Sequence, residues 1–286
     1  MSASTVAPSK VSAGIPTRAR LFPVLTSTLR ESRNLISAAC GYIVIIGLLV
    51  GLLLPAFKTL NLQAYLSGNV AALVGGVRPR PDTTVLAIYM ALELYGTFFM
   101  LLFGGVLAYT AGSSIARNIE DGTIDLTLAR TISRTRLYLE KWAAMIFAGA
   151  TIVATAILTT WVCTLLFQNA TLAWRWFLLA NLDVSATLFL IVGMGLLISS
   201  VMSAGRAAGG VAVLVVVFWY LCQTFGTAGE RLAFLKYLGP YYYAPSSQVI
   251  LSEQWTDPWK LIVPAATGLI MGLVGLVWFQ RRDITP

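Results

Sequence analysis

The stretch EDGTIDLTLARTISRTRLYLEK, residues Glu120 to Lys141, is a polar segment between two long apolar runs. Eight of its residues are charged, so we expect this segment to lie in water while the apolar runs on either side lie in lipid. We interpret it as a contact surface in the cytoplasm. Gly122 and Thr123 break the helical pattern, because glycine weakens a helix interior and a threonine hydroxyl caps a following helix. A second helix is then expected from Leu126 to Lys141, leading into the membrane.

The composition excludes an ordinary soluble domain. Of the 286 residues, 57% are apolar and 11% are charged, whereas about 25% are charged in soluble domains. A helix needs about 20 apolar residues to cross a hydrocarbon core of roughly 30 Å, and a continuous apolar run predicts a helix where an alternating pattern would predict a barrel strand. The sequence therefore predicts an all-α polytopic membrane protein with six transmembrane helices: Leu35–Leu54, Val85–Ala111, Ala143–Phe167, Phe177–Met202, Ala207–Gly226 and Leu261–Phe279.

The net charge of +8 is interpreted as a topology signal and not as a nucleic-acid surface. With both termini in the cytoplasm, 13 of the 20 Lys and Arg residues lie on the cytoplasmic side and 7 on the outer side. Cytoplasmic loops of membrane proteins carry such an excess of positive charge. We therefore expect a multi-pass protein of the cytoplasmic membrane, with its N-terminus and C-terminus inside the cell.

The N-terminal region divides into two parts. Residues 1–18 are rich in Ser, Thr, Ala and Pro and predict a disordered cytoplasmic tail, which leaves residues 19–286 as a single membrane domain. Between Arg20 and Ile36 the apolar residues share one helical face and the arginines lie off it. This pattern predicts an amphipathic helix at the inner membrane surface, and the simpler alternative is an extension of the first span.

Small and polar residues add weaker signals. Glycine pairs at a spacing of four, in the first, fifth and sixth spans, favour close packing between helices of the same chain. The absence of histidine counts against His-based catalysis and His-metal chemistry. The three cysteines fall inside predicted spans, where we expect them to serve as small packing residues. In the long outer loop from Thr227 to Lys260, the tyrosines form either an aromatic belt or a lid over an exit path.

Glu93 and Asp183 are the only carboxylates inside the predicted spans. A charge at membrane depth costs at least about 2.5 kcal/mol unless it faces protein or a water-filled cavity. We therefore expect both side chains to point away from lipid. They either line the outward half of a transport pathway or are held structurally, and the sequence leaves both alternatives open.

The chain resembles the permeases of the type-2 ABC transporter family over nearly its whole length. The loop after the second span matches the family pattern at Glu120, Gly122-Thr123, Leu126, Leu128, Ser133-Arg134 and Lys141, and the ending Phe279-x-x-Arg282-Asp283 is also similar. Where the family often has a proline just before the Ser-Arg pair, this chain has Thr131. Without that proline, the bend of the chain just before Ser133 is expected to differ from the family's.

The resemblance implies a function as well as a fold. In such an exporter the loop is a coupling helix that docks on a separate ABC ATP-binding subunit, and two permeases, identical or different, pair around the transport path in the lipid bilayer. ATP and Mg²⁺ would be bound by the partner, since this sequence has no phosphate-binding loop of its own. The residues implied in docking are Glu120, Asp121, Gly122, Thr123, Asp125, Arg130, Ser133, Arg134 and Lys141, with Ser203 and Arg206 in a second cytoplasmic turn.

Two other interpretations remain open. The charges of the loop would, in the simplest case, only keep it in water and fix the topology. Alternatively, the chain is a stand-alone membrane enzyme that acts on lipid or peptide. That activity would need a pair of acids, for which Glu93 and Asp183 are the candidates.

Overall fold

The computed structural model describes residues 22–57, 80, 83–123, 132–167, 170–228, 230–255 and 257–282. Six of its helices are long and apolar enough to cross a membrane. No strand occurs in these described ranges. The prediction of an all-α polytopic membrane protein is therefore confirmed.

The six spans follow one another in chain order. The first is α1 (Pro23–Phe57), the third is α5 (Arg134–Leu166) and the fourth is α6 (Trp174–Val201). The fifth is α7 (Gly205–Ala228) and the sixth is α9 (Ile262–Arg281). The second span is divided into α2 (Val85–Tyr89), a π-helical segment (Met90–Phe103), α3 (Gly104–Ser114) and α4 (Ala116–Glu120). Between the fifth and sixth spans lie three 3₁₀ turns, Glu230–Leu238, Pro240–Tyr242 and Pro258–Leu261, and the short helix α8 (Ser246–Ser252).

The first span contains the amphipathic stretch that the sequence pattern singled out. It is one unbroken helix of 35 residues, which at about 1.5 Å per residue is longer than a hydrocarbon core of roughly 30 Å. The simpler of the two alternatives, an extension of the first span, therefore describes the residues from Pro23 onward. The predicted tail, residues 1–18, lies outside the described residues.

The helix of the third span begins at Arg134, after the predicted start of the polar helix at Leu126 and before the predicted apolar span at Ala143. Ser133 has an extended backbone, and its hydroxyl accepts a hydrogen bond from the Arg136 N–H, so this serine is the N-cap of a helix that starts at Arg134. Ile132 and Ser133 are not helical. The prediction of one helix from Leu126 to Lys141 is therefore wrong at these two positions, and residues 124–131 lie outside the described part of the chain.

The fourth span is the centre of the bundle. It packs against the second, third, fifth and sixth spans and is the most buried of the six. Glycines permit its closest contact: a Cβ added to Gly268 of the sixth span would lie 2.7 Å from the Cα of Leu190, and one added to Gly193 would strike the Gly268 carbonyl. The prediction that the glycine pair of the sixth span serves packing within the chain is confirmed at Gly268.

We expect Gly193→Ala and Gly268→Ala to destabilise the bundle by about 1–3 kcal/mol, because the backbones of two helices would have to separate. Gly105→Ala is the matched control, since a Cβ there meets no described atom within 4 Å. That variant should be neutral or stabilising by up to about 1 kcal/mol, the difference in helix propensity. Unfolding by SDS titration, followed by tryptophan fluorescence, measures all three. Equal midpoints for the three variants would contradict the packing assignment.

The two ends of the bundle differ in chemistry. The charged end is formed by the start of the first span, α4, the start of the third span, the turn 202–204 and the end of the sixth span, which hydrogen bonds join together. The loop end holds the start of the second span, residues 170–173 and the segment 230–261, with contacts such as Thr84 Oγ1 to the Thr171 carbonyl and Arg80 to Glu253. Tyr241 of the loop end is buried and donates to the Met100 carbonyl.

Candidate functional site: the charged end

The charged end is where the terminal backbone groups of several helices come together. The first N–H groups and the last carbonyls of a helix have no partner within that helix. In a membrane protein such groups must be satisfied by other parts of the protein or by water. At this end they are bound by charged side chains that belong to other helices.

Glu120 joins the two turns of the charged end. It is the last residue of α4, and its Oε2 accepts a hydrogen bond of 2.7 Å from the Gly205 N–H, at the start of the fifth span. A carboxylate is favourable at this place, since the N-terminus of a helix carries a partial positive charge. Gly205 also packs directly on the backbone of Arg117, where a Cβ would lie 2.8 Å from the Arg117 Cα. Thus α4 and the turn 202–204 form one surface.

Two arginines bind the carbonyl ends of helices. Arg134 donates from Nη1 to the Arg282 carbonyl at 2.7 Å, at the end of the sixth span. Arg282 in turn donates from Nη1 to the carbonyls of Ser200 and Met202, at 2.9 and 3.0 Å, at the end of the fourth span. Cations are favourable at helix C-termini for the same electrostatic reason. The arginines therefore connect the third, fourth and sixth spans.

Glu140 binds the beginning of the first span. Its Oε2 accepts hydrogen bonds from the Val24 and Leu25 N–H groups at 2.9 and 3.0 Å, and its Oε1 accepts one from Arg136 at 2.8 Å. The glutamate is 5% exposed. A buried carboxylate with these donors fixes the first span to the third.

Lys141 lies inside the bundle. It is 1% exposed, and its Nζ donates to the Ser114 carbonyl at 2.6 Å, where α3 ends. A residue this buried is not available to a partner protein in this structure. The expectation that Lys141 belongs to a docking surface is therefore corrected: its contact is with the second span.

The other predicted docking residues divide into three groups. Asp121, Gly122 and Thr123 are exposed at the end of α4, and Gly122 has a φ of 63°, a conformation that favours glycine. Ser203 and Arg206 are exposed in and beside the neighbouring turn. Glu120, Ser133 and Arg134 take part in the contacts given above. Asp125 and Arg130 lie outside the described residues.

Sequence reasoning did not select Glu140, Ser199 or Arg282 as site residues. Ser199 accepts hydrogen bonds from the N–H groups of Ile115 and Ala116, and serine is too common in membrane helices to attract notice. Glu140 and Arg282 carried a usable signal, because each is a charge at the edge of an apolar run, next to a predicted helix end.

The two carboxylates inside the spans face different surroundings. Asp183 is 1% exposed, and its oxygens have no hydrogen-bond partner among the described residues, although the Trp255 side chain faces it. Glu93 is exposed on the surface of the single chain, while Tyr95, two residues away, is buried against Asn181. The expectation that both acids point away from lipid is met by Asp183, which the chain encloses, and stays a prediction for Glu93. An acid pair of the kind that an aspartyl enzyme needs is not formed by these two residues.

The described part of the chain contains no group of three or more His, Cys, Asp and Glu side chains that would suit a metal ion. A cavity of about 430 Å³ at the loop end is lined by polar and apolar residues, among them Gln223, Glu230, Lys236, Tyr242 and Gln248. A hollow of about 170 Å³ between the third and fourth spans is almost entirely apolar. The densest arrangement of charge with defined geometry is therefore the charged end.

Comparison with known proteins gives a family without an assigned activity. No curated protein matches the chain. The model of one protein family matches residues 31–285, which is most of the sequence, and that family is described as a protein of unknown function, DUF2705. The chain therefore belongs to the DUF2705 family.

Proposed function

We propose that this chain is the membrane-spanning permease subunit of an ATP-driven exporter, which couples ATP hydrolysis by a separate ABC ATPase subunit to export across the cytoplasmic membrane. The observation that carries the proposal is the composite surface of the charged end. There the exposed residues Asp121 and Thr123 and the exposed Arg206 are held side by side by the hydrogen bond from Gly205 to Glu120.

This surface has the properties of a docking site for a soluble protein. Its charges are of both signs: Asp121 and Arg117 are exposed in and after α4, and Arg206 follows Gly205, which packs on Arg117. Mixed charges fix the register of a partner and reject wrong partners more than they add affinity. The surface is formed by residues of two spans, the end of the second and the start of the fifth. A partner that moves this surface would therefore move both spans.

The direct test is co-expression with an ABC ATP-binding subunit, which is to be sought first among the genes beside this one. We expect the two proteins to purify together from detergent, and we expect ATP hydrolysis to rise when the chain is present in lipid nanodiscs. A chain that binds no ATPase but turns over a lipid or a peptide by itself would instead establish the membrane-enzyme alternative.

The topology is tested by cysteine labelling from outside the cell, in a background without Cys40, Cys163 and Cys222. With the charged end in the cytoplasm, an impermeant maleimide should modify Glu230→Cys at the loop end and spare Ser203→Cys at the charged end. Both positions are exposed in the structure, so a difference in labelling reports the side of the membrane. Labelling of Ser203→Cys in intact cells would show that the charged end lies outside the cell, where a cytoplasmic ATPase could not bind it.

Pairing with a second permease is supported by the position of Glu93. It lies about 12 Å along the second span, counted at 1.5 Å per residue from Val85, and it is exposed on the surface of the single chain. A charge that faces lipid at this depth is costly. A second copy or a related permease that closes a pathway against this face would give the carboxylate a polar environment.

We expect Glu93→Gln to leave folding and ATPase binding unchanged and to lower transport and substrate-stimulated ATP hydrolysis, because the amide keeps the shape and removes the charge. Asp183→Asn is the contrasting variant, since Asp183 is enclosed by the chain and should affect folding more than transport. Transport assays in proteoliposomes, with folding checked by size-exclusion chromatography, separate the two. Normal transport by Glu93→Gln would show that the charge has no role in the pathway.

A further inference from the structure

The second span is interrupted at Ile115, near the charged end. The N–H groups of Ile115 and Ala116 donate to Ser199 Oγ of the fourth span, at 2.9 and 3.0 Å. In a continuous α-helix they would donate to the carbonyls of residues 111 and 112. The carbonyl of Ala111 instead accepts from the hydroxyl of Ser114 at 2.8 Å. At Ile115 and Ala116, side-chain contacts with the fourth span thus stand where a continuous helix would have backbone hydrogen bonds.

Lys141 contacts the second span just before the interruption, at Ser114. Its ammonium group donates to the Ser114 carbonyl at 2.6 Å and is buried among the spans. A charged group in such a place is costly, and ionisable residues buried in membrane proteins mark functional positions. Its burial removes it from any docking surface, so its contribution must come through the second span.

The segments on the two sides of the interruption meet the fifth span at different places. On the membrane side, α3 is packed closely, since a Cβ on Gly112 would lie 2.8 Å from the Ala212 Cβ and one on Gly195 would lie 2.8 Å from the Ala111 Cβ. On the other side, α4 is joined to the start of the fifth span by the Glu120 contact. The membrane part is therefore packed against the middle of the fourth and fifth spans, whereas α4 meets the fifth span at its first residue, Gly205, next to the exposed surface.

We propose that the interruption at Ile115 is a pivot, held by Ser199 and Lys141, at which α4 turns relative to α3. Movement of the docking surface reaches the second span through this point. That the movement is driven by an ATPase rests on the proposed function. The pivot itself is inferred from the contacts of this chain alone.

The test is a distance measurement on the chain in lipid nanodiscs, by electron paramagnetic resonance between two spin labels, with the three native cysteines replaced. One pair, Asn118→Cys with Leu139→Cys, joins α4 to the third span. The second pair, Leu102→Cys with Ile146→Cys, joins the membrane part of the second span to the third. Leu102, Leu139 and Ile146 are exposed and Asn118 is half-buried, so the labels have room.

Ser199→Ala and Lys141→Met are expected to at least double the width of the distance distribution for the Asn118 pair and to leave the Leu102 pair unchanged. Ser200→Ala is the matched control, because Ser200 is equally buried but donates to the Leu197 carbonyl within its own helix. It should change neither distribution. If Lys141→Met fails to fold, Ser199→Ala decides the question by itself. Unchanged distributions in the variants that fold would overturn the proposal.

A second measurement separates this proposal from the proposed function. With the partner ATPase bound and trapped with nucleotide, the Asn118 pair should shift and the Leu102 pair should shift less. Equal shifts of both pairs would show that the second span moves as one rigid helix, and the pivot would be wrong. If no ATPase binds the chain, the proposed function fails, while the variants in nanodiscs still decide whether Ser199 and Lys141 hold the interruption.

Discussion

Reversing the charge of Arg206 is expected to weaken binding of the partner ATPase by roughly 10- to 100-fold, which corresponds to about 1.4–2.8 kcal/mol. Arg206 is exposed beside the turn that Glu120 holds in place. In Arg206→Glu an attractive contact becomes a repulsive one while the helix ends keep their partners. Asp121→Arg is expected to act in the same way from the neighbouring turn. Affinity is measured by titrating the ATPase onto the chain in nanodiscs, together with the stimulation of ATP hydrolysis.

The matched control for this prediction is Arg231→Glu. Arg231 is also an exposed arginine, but it lies at the loop end, so the same substitution alters the net charge equally without touching the proposed docking surface. It should bind the ATPase as the unmodified chain does. Equal affinity of Arg206→Glu and Arg231→Glu for the ATPase would place the contact elsewhere on the chain.

Glu120 and Arg134 behave differently from Arg206 under mutation. Both were predicted from sequence as docking residues, but each also binds the end of another helix. A charge reversal at either position would therefore disturb the packing of the charged end as well as any contact with a partner. Loss of coupling in Glu120→Arg would not by itself identify a docking surface, which is why Arg206 and Asp121 give the cleaner test.

The number of spans was predictable because continuous hydrophobicity is a local property of the sequence. The limits of the spans were less so. The first span was predicted from Leu35 and begins at Pro23, and the third was predicted from Ala143 and begins at Arg134. In both cases the helix continues past its apolar run, because Glu140 and Ser133 bind the N–H groups of its first turn. Ser133 is a local cap, whereas the contact of Glu140 with the first span is visible only when distant segments are brought together.

The candidate site was predicted in position but not in its contacts. Charge density located the segment after the second span, and Asp121 and Thr123 are exposed there as expected. The burial of Lys141 depends on the interruption of another helix, which no local pattern of residues indicated. Glu93 lies in a π-helical segment that the continuous apolar run did not predict.

The largest effect on folding is expected at Glu140. Glu140→Ala removes the acceptor of two N–H groups at the start of the first span, and the donors left behind lie in a region closed by the third span. Buried donors without partners cost about 1–3 kcal/mol each. The contact with Arg136 adds little, because that arginine is half exposed. We therefore expect a loss of about 2–4 kcal/mol of stability, enough to reduce the yield of folded protein.

Two further variants test whether the loss of stability is specific to Glu140→Ala. One changes the same buried glutamate, and the other changes an exposed one. Glu140→Gln keeps an amide oxygen that accepts hydrogen bonds, so it should lose only about 1 kcal/mol, since part of the strength of a charged hydrogen bond remains. Glu230→Ala removes the same side chain from an exposed position at the loop end and should change stability by less than about 0.5 kcal/mol. SDS titration with tryptophan fluorescence ranks the three variants. If Glu140→Ala unfolds at the same SDS fraction as Glu230→Ala, the glutamate does not hold the first span to the third, and the N–H groups of Val24 and Leu25 are satisfied by water.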